Sequence, residues 1–382
     1  MDCKKLFECI DELYPKYVEK WVEICNMETP TMNKELIDKL GNYFIDIAKQ
    51  KGWETETFES VTGNVVCITM NANVKAAPIT LSAHMDTVHP LGSFGTPAVK
   101  LDEEKIYGPG VTDCKGGLVA ALLAMDALCK CNFNSRPVRL LLQSDEEAGS
   151  RPINKPTINY ICEKAKDSRA FINLEGHVKG GAVVQLKGIA TYVMKVHGVE
   201  AHSSLCAVSG ASAIAEAAHK IIELEKIKDH EGITCNCGVV SGGTTHNTVP
   251  KYCEVRVNFR FVNAEQKEYI DTYMQKLAST VYVDGCKTEV EAYGFRPAME
   301  RTQTNLDLLN TVNEIFNENG LSTLSPIKKR GGSDAAQVTC AKIPCLDGLG
   351  VTGGFVHSPD EYAELESLKE SAKRLAAITY CI

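Results

Sequence analysis

Apolar positions recur along this chain with two different periods, and the switch between them divides it. In the first half, short apolar runs alternate with helical stretches. Residues 78–83, 138–142 and 170–174 read as buried strands, and residues 117–128 as a helix between the first two. Strands separated by helices predict an α/β layer fold around a mainly parallel sheet. Near Leu186 the period changes. Residues 192–196, and Val255, Val257, Phe259 and Phe261 alternating with Glu254, Arg256, Asn258 and Arg260, predict half-buried antiparallel strands. Ile214, Ala217, Ala218, Ile221 and Ile222 form a helical apolar stripe between them, and residues 264–277 predict a second helix. After Pro297 helical spacing resumes with Leu308, Leu309, Val312, Ile315 and Phe316 before Gly320. Residues 343–346 read as a strand and 364–378 as a final helix. The predicted organisation is one α/β domain split into 1–186 and 298–382 by an inserted α+β unit at 187–297.

Composition narrows the function class. The 382 residues hold 41 basic and 49 acidic side chains, a net charge of −8, with 44% hydrophobic residues. That excludes a disordered chain and argues against nucleic acid or an anionic membrane as partner. No apolar run approaches the roughly 20 residues that span a bilayer, since 118–128 is interrupted by Asp126, and the first residues show no apolar signal core. Sixteen cysteines are scattered without a C-x-x-C pair. They predict thiols in a reducing, cytoplasmic setting rather than a disulfide framework.

The candidate chemistry lies at strand ends, where α/β sheets place ligands. His84-Met85-Asp86 follows the first strand; one residue can ligate a metal while the other orients it. Asp113 stands in a glycine-rich turn, Gly108-Pro109-Gly110 to Gly116-Gly117, just before a helix. Ser144-Asp145-Glu146-Glu147 follows the second strand, where adjacent carboxylates can divide metal binding from proton transfer. Glu175 follows the third, and His357 lies in Gly353-Gly354-Phe355-Val356-His357-Ser358. Each motif alone has an ordinary reading, as a surface histidine, a helix cap or a solvated acidic loop. Together, histidines and carboxylates suit zinc or another first-row divalent metal, and a shared carboxylate would favour two. No H-E-x-x-H, G-x-S-x-G, Walker A or G-x-G-x-x-G motif competes.

In this order the motifs resemble the dizinc family of aminopeptidases, aminoacylases and carboxypeptidases, which includes acetylornithine deacetylase, succinyl-diaminopimelate desuccinylase and glutamate carboxypeptidase, the branch that looks nearest. The likeness continues through Gly198-Val199-Glu200-Ala201-His202-Ser203, Asn247-Thr248-Val249-Pro250 and Gly331-Gly332-Ser333-Asp334-Ala335. It implies a phosphorylase/hydrolase-like catalytic domain with a ferredoxin-like lid that also dimerises. It further implies two zinc ions per subunit, with cobalt or manganese as substitutes. His84 and Glu175 would hold one ion, Glu147 and His357 the other, and Asp113 both, with a cis peptide to Cys114. Asp86 would hold the His84 imidazole, Glu146 would be the general base for a metal-bridging water, and His202 would reach the partner subunit's site to stabilise the oxyanion. Asn247, Arg260 and Arg296 would contact substrate, and Gly353 and Gly354 its terminal carboxylate. Glu175, where some relatives carry aspartate, favours carboxypeptidase and aminoacylase types over di- and tripeptidases.

The expected activity is therefore release of a C-terminal, glutamate-like amino acid by a homodimer. An N-acyl amino acid deacylase or a dipeptidase would use the same site. A catalytically inactive binding protein on this scaffold would show missing ligands, and none is missing. His177, His197, His219, His230 and His246 read as packed or solvated, His89 as a loop residue, and the cysteines as structural thiols.

Overall fold

The computed structural model describes residues 3–149 and 155–382. The N-terminal helix Lys4–Asn26 buries Leu6, Ile10, Leu13, Tyr17, Trp21 and Ile24, a three-and-four spacing that keeps one face on the core. Lys34–Gln50 follows, capped by the Asn33 side chain, which accepts from Leu36 N at 3.3 Å. Lys115–Lys130 is buried from Lys115 to Leu128 and packs between Lys4–Asn26 and the C-terminal helix Leu365–Cys381. Asp126, the polar residue in that apolar run, accepts from Tyr17 Oη at 2.9 Å and pairs with Lys51, so its burial leaves no stranded charge.

These helices cover a six-stranded sheet. Its order is Glu54–Phe58, Val65–Met70, Val138–Gln143, Ile79–His84, Ala170–Asn173 and Cys345–Leu346. The last four strands run parallel and the first two are antiparallel, so the expected parallel sheet carries an antiparallel edge. Ile79–His84 is buried along its whole length, as a strand covered on both faces must be.

A second sheet is wholly antiparallel, ordered Thr234–Gly242, Tyr252–Phe261, Gly188–His197 and Lys287–Arg296. With helices Ala213–Glu225 and Ala264–Ser279 it makes a β-α-β-β-α-β unit, the ferredoxin-like pattern, with its own core around Met194, Val255, Val257, Phe259 and Ile270. The first of these helices turns a different face inward from the one its apolar spacing predicts. Ala213, Glu216, Ala217, Lys220 and Leu224 face inward, while Ile214 and Ile222 are 43% and 58% exposed. The inward charges are satisfied. Lys220 Nζ lies 3.1 Å from Glu216 and donates to the carbonyls of Leu277 and Thr280, and Glu216 accepts from the backbone of Tyr282 and Val283. Among the described residues, no helix is long and apolar enough to cross a membrane.

Candidate metal centre

Three parallel strands end side by side and present the first donors. Ile79–His84 stops at His84, Val138–Gln143 runs into the turn holding Glu146 and Glu147, and Ala170–Asn173 leads through Leu174 to Glu175. Asp113 precedes helix Lys115–Lys130, its peptide bond to Cys114 cis as expected. His357 sits between the short strands Gly353–Gly354 and Tyr362–Glu364.

These donors form two groups that share one residue, His84–Asp113–Cys114–Glu175 and Asp113–Glu147–His357. His84 Nε2 lies 2.9 Å from Asp113 Oδ1 and 3.8 Å from Glu175 Oε1. His357 Nε2 lies 3.2 Å from Asp113 Oδ2 and 3.2 Å from Glu147 Oε1. Each Asp113 oxygen thus faces a different histidine. The electrostatics describe a site rich in anions. Burial first, and then the Asp113 charge, hold Glu175 well above the usual carboxylate range. Burial also raises Glu147, against the pull of its hydrogen bond to His357. Burial opposes ionisation of Asp113, yet hydrogen bonds from His357 and His84 outweigh it and keep this carboxyl below its usual range. The His357 imidazole is pushed up to about 10 by its hydrogen bonds to Asp113 and Glu147. Imidazole nitrogens and carboxylate oxygens converging in this way match the donor set of a divalent first-row metal.

Two fully buried carboxylates hold the ligand loops. Asp86 accepts from the backbone N–H of Glu146 and of Glu147, both at 3.1 Å, and from Thr31 Oγ1 at 2.9 Å. His84 Nδ1 lies 3.3 Å from this carboxylate but 2.9 Å from the Asp86 backbone carbonyl, which orients the ring so that Nε2 faces Asp113. Asp86 therefore ties two strand ends together rather than serving His84 alone. Glu361 does the same on the far side. It accepts from Gly110 N at 3.2 Å, Thr112 N at 2.9 Å, Asp113 N at 3.0 Å and His89 Nε2 at 2.8 Å. Sequence reasoning missed Glu361 and left His89 as a loop residue. The available signal was an acid four residues after His357, too common a pattern to single out.

A cleft of about 470 Å³ opens over these groups, lined by Asp113, Glu146, Glu147, Glu175 and His357 from the catalytic side, and by Arg260 and Arg296 from the lid strands. His84 lies beneath it, 2% exposed. Arg296 is 4% exposed and already engaged, which changes its expected role as an open substrate contact. Nη1 donates to Glu146 Oε1 and Nη2 to the Glu146 backbone carbonyl at 2.8 Å. Its Nε has no hydrogen-bond partner among the described residues. Four predicted residues stand elsewhere. Gly353 and Gly354 pair with Ala363 and Tyr362 and do not line the cleft. An added Cβ on Gly353 would lie 2.1 Å from the Tyr362 carbonyl oxygen, so the glycine answers a close backbone approach. His202 is exposed, and Asn247 lies beside it, its carbonyl accepting from Ser203 N at 2.9 Å. Neither reaches the cleft of its own chain.

Fold and site together define a metal-dependent class of hydrolase. Residues 80–380 match the family "Peptidase family M20/M25/M40", and the chain belongs to this family of hydrolytic enzymes. It is similar to carboxypeptidase G2 of Pseudomonas sp. (strain RS-16), with 24% identity over 371 residues, 95% of this chain and 88% of the relative. In fold it resembles aminopeptidase PepT of Bacillus cereus, with a TM-score of 0.79 at 22% identity over 96% of this chain and 98% of that one. It also resembles a dinuclear metal-binding M20 peptidase of Bacillus subtilis, with a TM-score of 0.70 at 16% identity over 97% and 98% of the two chains.

Proposed function

We propose that the protein is a dizinc carboxypeptidase that releases a C-terminal acidic amino acid and works as a homodimer. The observation that carries this reading is the sharing of Asp113, which belongs to both donor groups and turns one oxygen toward His84 and the other toward His357. His84 and Glu175 would hold one ion, Glu147 and His357 the second, and Asp113 both. Metal ions held there would supply Lewis acidity and lower the pKa of a water molecule in the cleft.

The protein's own groups then divide the remaining work. Glu146 takes the proton of the attacking water and later delivers it to the departing amine. Arg296 engages Oε1 of this carboxylate, which fixes its direction and leaves Oε2 for the proton. Asp86 keeps Glu146 and Glu147 in register through their backbone N–H groups. Arg260 gives the cleft a cationic group, suited to a substrate carboxylate because a guanidinium pairs with it in a planar, bidentate way. The relative named carboxypeptidase G2 supports the same class.

The homodimer reading rests on the lid. Ile214 and Ile222 on its helix, and Val239 and Val240 on its edge strand, are 43% to 58% exposed. An apolar patch along an open strand edge is a surface that a second copy covers. His202 and Asn247, remote from their own cleft, would then complete the partner's site, with His202 donating to the developing oxyanion.

Hydrolysis of a peptidyl-glutamate, a neutral dipeptide and an N-acetyl amino acid by zinc-loaded protein tests the substrate class. The expected order puts the peptidyl-glutamate first. Failure on every peptide with cleavage of the N-acetyl compound would overturn it in favour of a deacylase. Glu146→Gln should retain two metal equivalents by elemental analysis while turnover falls by several orders of magnitude; retained turnover would remove Glu146 from the role of base.

A further inference from the structure

Away from the cleft, the two ends of the described chain meet. Cys3 stands immediately before helix Lys4–Asn26, and Cys381 is the last residue of helix Leu365–Cys381. The two helices pack on each other. The Sγ atoms lie 3.7 Å apart across 378 positions of sequence. The backbone around Cys3 is pinned, its N–H donating to Asn319 Oδ1 at 3.0 Å, whereas Cys381 closes the final helical turn.

We propose that Cys3 and Cys381 are a modification site, joined by a disulfide when a hydroperoxide reaches the protein. A disulfide has sulfurs about 2.05 Å apart, so closing the present gap needs less than 2 Å of movement, within reach of side-chain rotation and a terminal helical turn. Cys3 is 1% exposed and Cys381 is partly exposed, which sets the order of events. The Cys381 thiolate attacks the hydroperoxide; its sulfur is oxidised to the sulfenic acid and the peroxide O–O bond breaks to give water or an alcohol. The Cys3 sulfur then attacks the sulfenic sulfur, an S–S bond forms, and the sulfenic oxygen leaves as water with the Cys3 proton. Two thiols are oxidised by two electrons and one hydroperoxide is reduced.

The location gives the bond a consequence. The N-terminal helix buttresses the turn that carries Asp113, Trp21 Nε1 donating to the Val111 carbonyl at 3.2 Å. A bond from residue 3 to residue 381 closes nearly the whole chain into one loop, the arrangement in which a cross-link restricts the unfolded ensemble most. A neighbouring contact, Cys9 with Cys131, joins the same helix to the end of Lys115–Lys130 and would give a separately mappable peptide.

The test is hydrogen peroxide treatment of the full-length protein, followed by peptide mapping without reductant. The expected result is a linked pair of N-terminal and C-terminal peptides that dithiothreitol separates. It should be lost in Cys3→Ser and in Cys381→Ser and retained in Cys9→Ser. Oxidised wild type should melt several degrees above the reduced protein, with no such shift in Cys381→Ser. Accumulation of Cys381 sulfinic or sulfonic acid without the linked pair, or a link between two copies of the chain, would overturn the proposal.

Discussion

At the scale of residues, the arginine–glutamate contact decides more than its size suggests. Arg296 and Glu146 are 4% and 8% exposed, so each compensates the buried charge of the other. Removing one partner of a buried ion pair strands the other and costs about 3–5 kcal/mol, whereas replacing both by neutral groups of similar shape is often nearly neutral. Arg296→Ala should therefore lose stability on that scale in urea unfolding, and the double variant Arg296→Met/Glu146→Gln should recover most of it. A different argument applies to Glu361. Four hydrogen bonds converge on its carboxylate, and two of them fix the backbone N–H groups of Thr112 and Asp113. Groups that orient ligands typically change metal affinity about 10- to 100-fold when lost. Glu361→Ala should weaken zinc binding by that factor in competition with a chromophoric chelator. Glu361→Gln, which keeps an acceptor, should fall between it and wild type.

Elements show why some of the fold was legible in the sequence and some was not. Strands buried on both faces, such as Ile79–His84 and Val138–Gln143, announce themselves as apolar runs, and the donors His84 and Glu147 follow directly from their ends. Thr234–Gly242 and Lys287–Arg296 form the two edges of the lid sheet. Their mostly exposed or half-buried residues carry no apolar signal, and neither strand was anticipated. The stripe on Ala213–Glu225 misled for the opposite reason. Lys220 and Glu216 can be buried because backbone groups satisfy them, which turned the isoleucines outward. The resemblance carried by motif order implied a shared role for Asp113, which belongs to both donor groups. The pairing of Arg296 with Glu146 spans 150 positions and no local pattern encodes it. Gly117 shows where glycine itself is the element's requirement. A Cβ there would lie 2.4 Å from the Leu174 carbonyl oxygen, where helix Lys115–Lys130 meets the strand end leading to Glu175. Alanine gains about 1 kcal/mol of helix propensity, but overpacking of this kind costs about 1–3 kcal/mol. Because the contact is with backbone, the clash should win: Gly117→Ala lowers the urea midpoint, and zinc affinity falls with it as Asp113 and Glu175 are pushed apart.

For the whole molecule, the crowding of Asp113, Glu147 and Glu175 makes folding and metal binding one equilibrium. Metal that binds only the folded chain adds about 2.7 kcal/mol at a hundred times its dissociation constant. A chelator should therefore lower the melting temperature, and zinc should restore it in a concentration-dependent way. The proposed homodimer concerns the same site, because His202 and Asn247 do not line the cleft of their own chain. If His202 acts across the interface, two inactive variants should rescue each other. In a hybrid of His202→Ala with Glu146→Gln, the site on the first subunit has an intact Glu146 and receives His202 from the second. If His202 served its own chain, neither site in the hybrid would be complete. Random re-association makes half the dimers hybrids with one complete site each, so mixing should recover about a quarter of wild-type turnover. Mixed and separately treated variants, compared after dilution and re-association, distinguish the two arrangements. Activity no higher than the sum of the parents would place His202 outside the reaction of the partner. Replacing Val239 and Val240 by aspartate should both dissociate the dimer in sedimentation and abolish this rescue, while each subunit still binds zinc.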